Sequence, residues 1–296
     1  MVGSARTRRD FLKTSGAVGG LVVGGSLLGA CTSTSSGDTL TSARESGSIR
    51  IGIANEAPYG FTDASGRVTG EAPEVARAVL SAIGIEDVQA TTVDFNALIP
   101  ALNARQFDMV CAGMNITPTR CEQAAFSIPD YSALTAFLVP AGNPEQVGTF
   151  EDLVAKNLTV AVLSAAVEQG YAEDSGVPPG NIQVFGDQNA LLQAVTAGRT
   201  YCASLTDISL NWLVRSNESA PVEVTPGFDP VINGQPVVSA GGFVFRTADS
   251  DLREAFNGEL QTLHTNGRWV EIASEFGFSD ANLPGELTTE QLCSAG

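Results

Sequence analysis

Polar and apolar positions along the chain fall into two alternating kinds of run. Short stretches rich in β-branched residues, "SIRIGIA" (48–54), "VQATTVDF" (88–95) and "FDMVCAGM" (107–114), predict strands. Between them, "EVARAVLSAIG" (74–84), "NALIPALNARQ" (96–106) and "PTRCEQAAF" (118–126) place apolar residues three and four apart and predict helices. A second unit repeats the scheme. "LTVAVLS" (158–164), "IQVFG" (182–186) and "TYCASLT" (200–206) read as strands, with helices over "AVEQGYAED" (166–174) and "QNALLQAVTAG" (188–198). Strand–helix alternation predicts an α/β fold. Two similar units suggest a cleft between two lobes, with the carboxyl ends of the strands, after 54, 95, 114 and 164, facing it.

The first 30 residues break this pattern. Thr7-Arg8-Arg9-Asp10-Phe11-Leu12-Lys13 reads as a twin-arginine export signal, and "GAVGGLVVGGSLLGA" (16–30) is an apolar run too short and too rich in glycine to span a bilayer. Leu28-Gly29-Ala30-Cys31 resembles a bacterial lipobox, in which the cysteine becomes the lipidated first residue. Residues 1–30 are therefore expected to be a removed signal peptide, and 31–48 ("TSTSSGDTLTSARESGS" after Cys31) a flexible tether. The expected location is extracytoplasmic: exported by the twin-arginine route and lipid-anchored on the outer face of the cytoplasmic membrane.

Charge narrows the partners. The formal net charge is −17, and it becomes more negative once residues 1–30 leave, because Arg6, Arg8, Arg9 and Lys13 leave with them against the single acid Asp10. A chain this acidic, with Lys156 as its sole lysine beyond the leader, argues against nucleic acid. It fits a solvated globular surface. One histidine, His264, and four cysteines beyond Cys31 (Cys111, Cys121, Cys202, Cys293) show no zinc-knuckle spacing and supply no Ser-His-Asp or Cys-His set. No metal or cofactor is expected. An export route permits disulfides, and four cysteines allow three full pairings.

One segment carries chemistry on its own terms. In "GMNITPTRC" (113–121), Thr117-Pro118 has the form of an N-cap followed by proline at the first helical position, so free backbone N–H groups precede Arg120. Arginine offers a planar fork of donors that suits a carboxylate or phosphate. The alternative is that Arg120 pairs with Glu122 on the surface, which signifies little.

The longer stretch "FNALIPALNARQFDMVCAGMNITPTRCEQAAFSIPDY" resembles the signature of the family 3 extracellular solute-binding proteins of ABC importers. The resemblance runs at lower density from about 49 to 278, through "LLQAVTAGR" and "LQTLHTNGRWVEIASEFGF". "NEAPYGFTDASGRVTGEAPEVARAV" and "AAVEQGYA" are similar to the ectoine/hydroxyectoine-binding branch. This implies a two-lobed type II periplasmic-binding-protein fold, not an enzyme, which captures a small zwitterionic compatible solute, acts as a monomer, hands the solute to a membrane permease and so serves osmoprotection. Alternatives are a polar amino-acid binder, or a cyclohexadienyl-dehydratase-like enzyme on the same fold with Glu56 as its acid.

By resemblance, Arg120 grips the ligand carboxylate, Glu56 accepts from ring nitrogens, and Tyr59 and Phe95 face the ring. Gly113 and Asn115 belong to the same motif, and Asn115 stands where a third aromatic often completes the cage. In the second lobe, Glu168 and neighbouring N–H groups are implied as contacts. An ammonium-binding Asp is replaced by Thr206, although Asp207 is next to it. The fold implied by the resemblance has lobe one at 49–139 plus 241–296 and lobe two at 140–240, hinged near "LVPAGNP" and "SAGGFVF". It also returns the chain to lobe one, bringing Cys293 toward Cys121 as the expected disulfide, with Cys111 and Cys202 as buried thiols.

Overall fold

Alternate apolar side chains in the first strand serve two different faces. In the computed structural model, which describes residues 39–294, β1 (Ser48–Ile53) sends Ile49, Ile51 and Ile53 into one apolar cluster. On the other side, Gly52 lies so close to the Phe107 ring that a Cβ there would overlap it. Helix α1 (Thr39–Ser46) precedes this strand, with Leu40 and Ala43 buried. Its Thr39 hydroxyl donates to Asp249 Oδ1 (2.7 Å) and Arg44 Nε to the carbonyl of Ile83 (2.9 Å). The expected tether over 31–48 is thus too long. Residues 39–46 bury an apolar edge and fold onto the domain, while the expected signal peptide and Cys31 lie outside the described residues.

After a small hairpin, β2 (Phe61–Thr62) with β3 (Val68–Thr69), come α2 (Glu71–Ala82), β4 (Asp87–Thr92), α3 (Leu98–Asn103), β5 (Met109–Asn115), α4 (Pro118–Cys121), β6 (Ala125–Phe126) and β7 (Tyr131–Ala133). β4 is shorter than its sequence pattern, and Phe95–Ala97 form a 3-10 turn instead. The helix expected over 118–126 also stops early. Ala125 and Phe126 look helical by spacing, but they pair antiparallel with Phe245 and Val244.

The chain then enters a second sheet. β8 (Thr135–Pro140), α5 (Phe150–Lys156), β9 (Val160–Leu163), α6 (Val167–Asp174), β10 (Ile182–Phe185), α7 (Gln188–Thr196), β11 (Cys202–Thr206), α8 (Asp207–Ser216) and β12 (Val222–Val224) make up this unit. A hairpin of β13 (Val231–Ile232) and β14 (Gln235–Pro236) leads to β15 (Ser239–Phe245), which rejoins the first sheet and is followed by α9 (Ser250–Thr265), α10 (Arg268–Ala273) and α11 (Thr289–Ser294). β8 belongs to the second sheet, so the first crossing lies at Ala133–Thr135 rather than near 140. The return falls between Val224 and Ser239, ahead of the run "SAGGFVF", which is β15 itself.

The sheets are built alike. The first runs β4-β1-β5-β15-β6 and the second β10-β9-β11-β8-β12. In each, three parallel strands stand in the order second-first-third, and the next strand, β15 or β8, runs antiparallel to them. Both faces of each sheet are covered. Met109, Cys111, Phe243 and Phe245 join the Ile49 cluster under α2, α9 and α10, whereas Val110, Ala112, Met114 and Val244 pack with Leu98 and Leu102 on the opposite face. Ala161, Leu163 and Leu205 pack on α7 and α8, and Val160, Val162 and Phe137 on Phe150 and Leu153 of α5. Each such large side chain contributes about 1.5–3 kcal/mol on burial. A sheet ordered this way places ligand groups at the carboxyl ends of its parallel strands.

Candidate ligand-binding cleft between the lobes

The carboxyl ends of β1, β5, β9 and β11 meet around a cavity of about 30 Å³ lined by Glu56, Phe95, Asn115, Arg120, Glu168 and Thr206, together with Gly113 and Val167. Seven of the nine residues expected from sequence are thus gathered there. Glu56 follows β1 on a tight loop closed by reciprocal backbone bonds with Gly60 (3.0 Å each) and containing the cis Ala57–Pro58 peptide. The Ser209 hydroxyl, from lobe two, donates to Glu56 Oε1 at 3.0 Å.

Arg120 sits in the single turn of α4, whose cap is Thr117 with Pro118 behind it. Its fork is not directed at the exposed Glu122. Nη1 donates to the carbonyl of Asn115 (2.7 Å) and Nη2 to the carbonyl of Ala165 across the cleft (2.8 Å). The guanidinium also lies over the Phe95 ring, 5.3 Å from its centroid. Ala165 holds φ at 61°, a conformation that costs a residue with a Cβ about 1–3 kcal/mol and turns the chain just before α6.

Two carboxyl groups, one from each lobe, share this cavity with one guanidinium. Burial pushes Glu56 up to about 7, against the opposing pull of Ser209 and Arg120. Burial likewise pushes Glu168 up to about 7, with Glu56 adding to the rise while its own N–H bond and Arg120 oppose it. Burial lowers Arg120 from its usual value. The cleft therefore favours an incoming cation, which can replace protons on the two acids, next to a donor fork for an anion.

Two expected residues stand elsewhere. Tyr59 is packed behind the cavity, its ring 5.0 Å from that of Tyr131 and 5.7 Å from Phe278. Its hydroxyl is 2.9 Å from Thr206 Oγ1, linking the lobes. Gly113, at φ 58°, lies against this ring where a Cβ would overlap it. Asp207 is the first residue of α8, accepts from the Leu134 N–H at 3.2 Å, and lines a different cleft with Asn211, Trp212 and Asn282. It stays clear because Thr206 serves as the helix cap, accepting from Ser209 N–H at 3.3 Å. Sequence reasoning missed Tyr131, Tyr171, Ser209 and Ser239, which reach the site from distant elements. Thr206-x-x-Ser209 is the only local pattern among them, a capping threonine with serine one turn on.

An outer chamber of about 490 Å³ lies in front of Arg120, between Ile99 and Thr119 on one side and Gly170 and Tyr171 on the other. A groove of about 550 Å³ runs between α9 and residues 283–290, away from the charged trio. Cys121 and Cys293 form a disulfide (Cα–Cα 5.7 Å) that joins α4 to α11, while Cys111 and Cys202 are buried free thiols. Among the described residues, no group of three or more His, Cys, Asp or Glu is placed to hold a metal, and no helix is long and apolar enough to cross a membrane.

Comparison with known proteins bears on the fold and the family. The chain is 35% identical over 261 residues, 86% of each chain, to a probable amino-acid ABC transporter periplasmic-binding protein (y4tE) of Sinorhizobium fredii. It is 26% identical to the lysine/arginine/ornithine-binding periplasmic protein of Escherichia coli, covering 80% of this chain and 90% of that one. Among solved structures, EhuB in complex with hydroxyectoine superposes with a TM-score of 0.78 at 33% identity, over 87% of this chain and 98% of EhuB. An ancestral amino-acid-binding protein described as a precursor of cyclohexadienyl dehydratase gives 0.71 at 25%, over 81% and 99%. The family model of the bacterial extracellular solute-binding proteins, family 3, matches residues 49–279, and the chain belongs to that family of two-lobed type II binding proteins serving ABC importers.

Proposed function

We propose that this binding protein captures a small zwitterion pairing a carboxylate with a delocalised, planar cation, ectoine or hydroxyectoine, and delivers it to an ABC permease for osmoprotection. The observation that carries the reading is the convergence of Arg120 with Glu56 and Glu168, from both lobes, on one cavity beside Phe95. The carboxylate takes the Arg120 fork in a charge-assisted pair. The cation donates N–H groups to Glu56 and Glu168 and lies near the Phe95 face, a contact worth about 0.5–2 kcal/mol. A cavity of about 30 Å³ is far smaller than the roughly 300–1,000 Å³ of a small-molecule site, so the ligand enters with the lobes parted, through element ends that absorb the motion. The likeness to EhuB supports this ligand class.

A second reading, a cationic amino-acid binder, draws on the excess of two acids over one base in the cleft and on the likeness to the lysine/arginine/ornithine-binding protein. A thermal-shift screen separates the two. Ligand at a hundredfold excess over its dissociation constant adds about 2.7 kcal/mol, so a strong shift with ectoine supports the first reading. A strong shift with arginine or lysine and none with ectoine replaces it. A dehydratase would turn over its ligand, which the same samples, followed for product, test. Export through the twin-arginine route and lipidation of Cys31 belong to the proposal. Metabolic labelling with palmitate, lost in Cys31→Ser, tests the anchor.

A further inference from the structure

One wall of the cleft is a chain of uncharged groups, each able both to donate and to accept. The Tyr131 hydroxyl donates to the Gly113 carbonyl at 2.7 Å and lies 3.3 Å from Asn115 Oδ1. Asn115 Nδ2 donates to Ser239 Oγ, and Ser239 in turn lies close enough to the Tyr171 hydroxyl of lobe two to influence its ionisation. Asn115 and Ser239 are 7% and 5% exposed, and Asn115 faces the cavity beside Arg120.

The donor and acceptor inventory of Asn115 leaves a gap. Its amide has two N–H groups and an oxygen with two lone pairs. Ser239 takes one hydrogen. Oδ1 receives a hydroxyl whose single hydrogen is already directed, at shorter range, to Gly113. One N–H and at least one lone pair remain, and a hydroxyl fills both by accepting from Nδ2 and donating to Oδ1. A ligand methylene in that place leaves the buried amide unmatched, which is the means by which a polar site rejects the analogue lacking a hydroxyl.

We infer that Asn115, held in place by Ser239, reads a hydroxyl group on the ligand, so that the cleft discriminates a hydroxylated zwitterion from its deoxy counterpart; this rests on the ligand class proposed above. Arg120 and the two glutamates already answer the charged ends, and the uncharged corner answers the third substituent.

Calorimetry at neutral pH with two pairs, ectoine and hydroxyectoine, proline and hydroxyproline, tests this on the parent, Asn115→Ala and Ser239→Ala. The hydroxylated member of whichever pair binds is expected to be at least about fivefold tighter in the parent, the factor one net hydrogen bond supplies. The gap closes to parity in Asn115→Ala and narrows in Ser239→Ala. The serine variant retains the asparagine amide but not the bond that holds it, and so remains readable if the asparagine variant melts early. Equal affinities within a pair, or a gap that survives both substitutions, overturns the inference. Binding of the prolines alone with the hydroxyl preference removes ectoine but leaves the hydroxyl reading standing. Binding of neither pair removes both.

Discussion

The guanidinium of Arg120 in lobe one donates to the backbone carbonyl of Ala165 in lobe two, 2.8 Å away. The group placed to grip a ligand anion is therefore also the bolt between the lobes. A carboxylate that takes Nη2 must release Ala165, so recognition and closure compete for one set of donors.

Arg120→Lys keeps the charge and loses the planar fork. Affinity for the ligand is expected to fall about 10- to 100-fold, the range of about 1.5–3 kcal/mol for a charged hydrogen bond, while the melting temperature without ligand changes little. Calorimetry reads the first and calorimetric melting the second. A variant that binds like the parent removes Arg120 from the site.

Ligand affinity is expected to rise with pH. Glu56 and Glu168 are both held near 7, so they carry protons below that value and must shed them to accept from a cation. Affinity climbs between about pH 5 and 8 and then levels, and binding near pH 6 releases protons. Titrations in two buffers of different ionisation enthalpy measure that release. Glu56→Gln should flatten the profile while lowering affinity at pH 8, and a profile unchanged in Glu56→Gln speaks against the acid pair as the cation site.

Glu71, in the first turn of α2, is fully buried, and neither carboxyl oxygen has a donor among the described residues. Trp269 Nε1 gives its hydrogen to Asp130 instead, at 2.7 Å. Burial, with Asp130 adding to it, raises Glu71 well above the usual carboxylate range. The unfolded chain loses this proton first, so the contribution present at low pH is lost as pH rises past the ordinary glutamate value. Glu71→Gln is expected to melt about 2–4 °C or more above the parent at pH 8, the shift of about 1 kcal/mol in a domain of this size. That difference should vanish below about pH 4.

Cys293→Ser opens a covalent loop spanning 172 residues. It is expected to lower stability by about 2–5 kcal/mol and, because α4 carries Arg120 next to Cys121, to weaken ligand binding as well. Denaturant midpoints and calorimetry on oxidised and reduced parent should reproduce both effects. Loss of stability with full affinity would separate the disulfide from the site.

Much of the cleft was legible because strong strand patterns put Glu56 just after "SIRIGIA" and Asn115 and Arg120 just after "FDMVCAGM", while the family resemblance implied their roles. Other features depend on distant partners. Ala125 and Phe126 join β15, a strand that begins more than a hundred residues later, so local spacing suggested a longer α4. Thr206 and Asp207 were indistinguishable in sequence. Only the cap geometry of α8 turns one toward Tyr59 and the other toward Leu134. Tyr59 has the composition of a ligand-facing ring, yet Gly113 lets it pack against Tyr131 behind the wall. Ser239 and Tyr171 meet Asn115 across the fold, which no short motif records.

β15 enters the first sheet between β5 and β6, and this fixes an order of events during synthesis. The second lobe is one continuous segment, complete once β12 has emerged, and can close on itself. The first lobe must hold the far edge of β5 unpaired until Ser239–Phe245 arrives, and an unpaired strand edge is open to wrong partners. The last sheet pairing needs the longest wait and the largest loop. A chain stalled before residue 239 thus has a finished second lobe and an adhesive first one, so aggregation during production should track the exposure of β5.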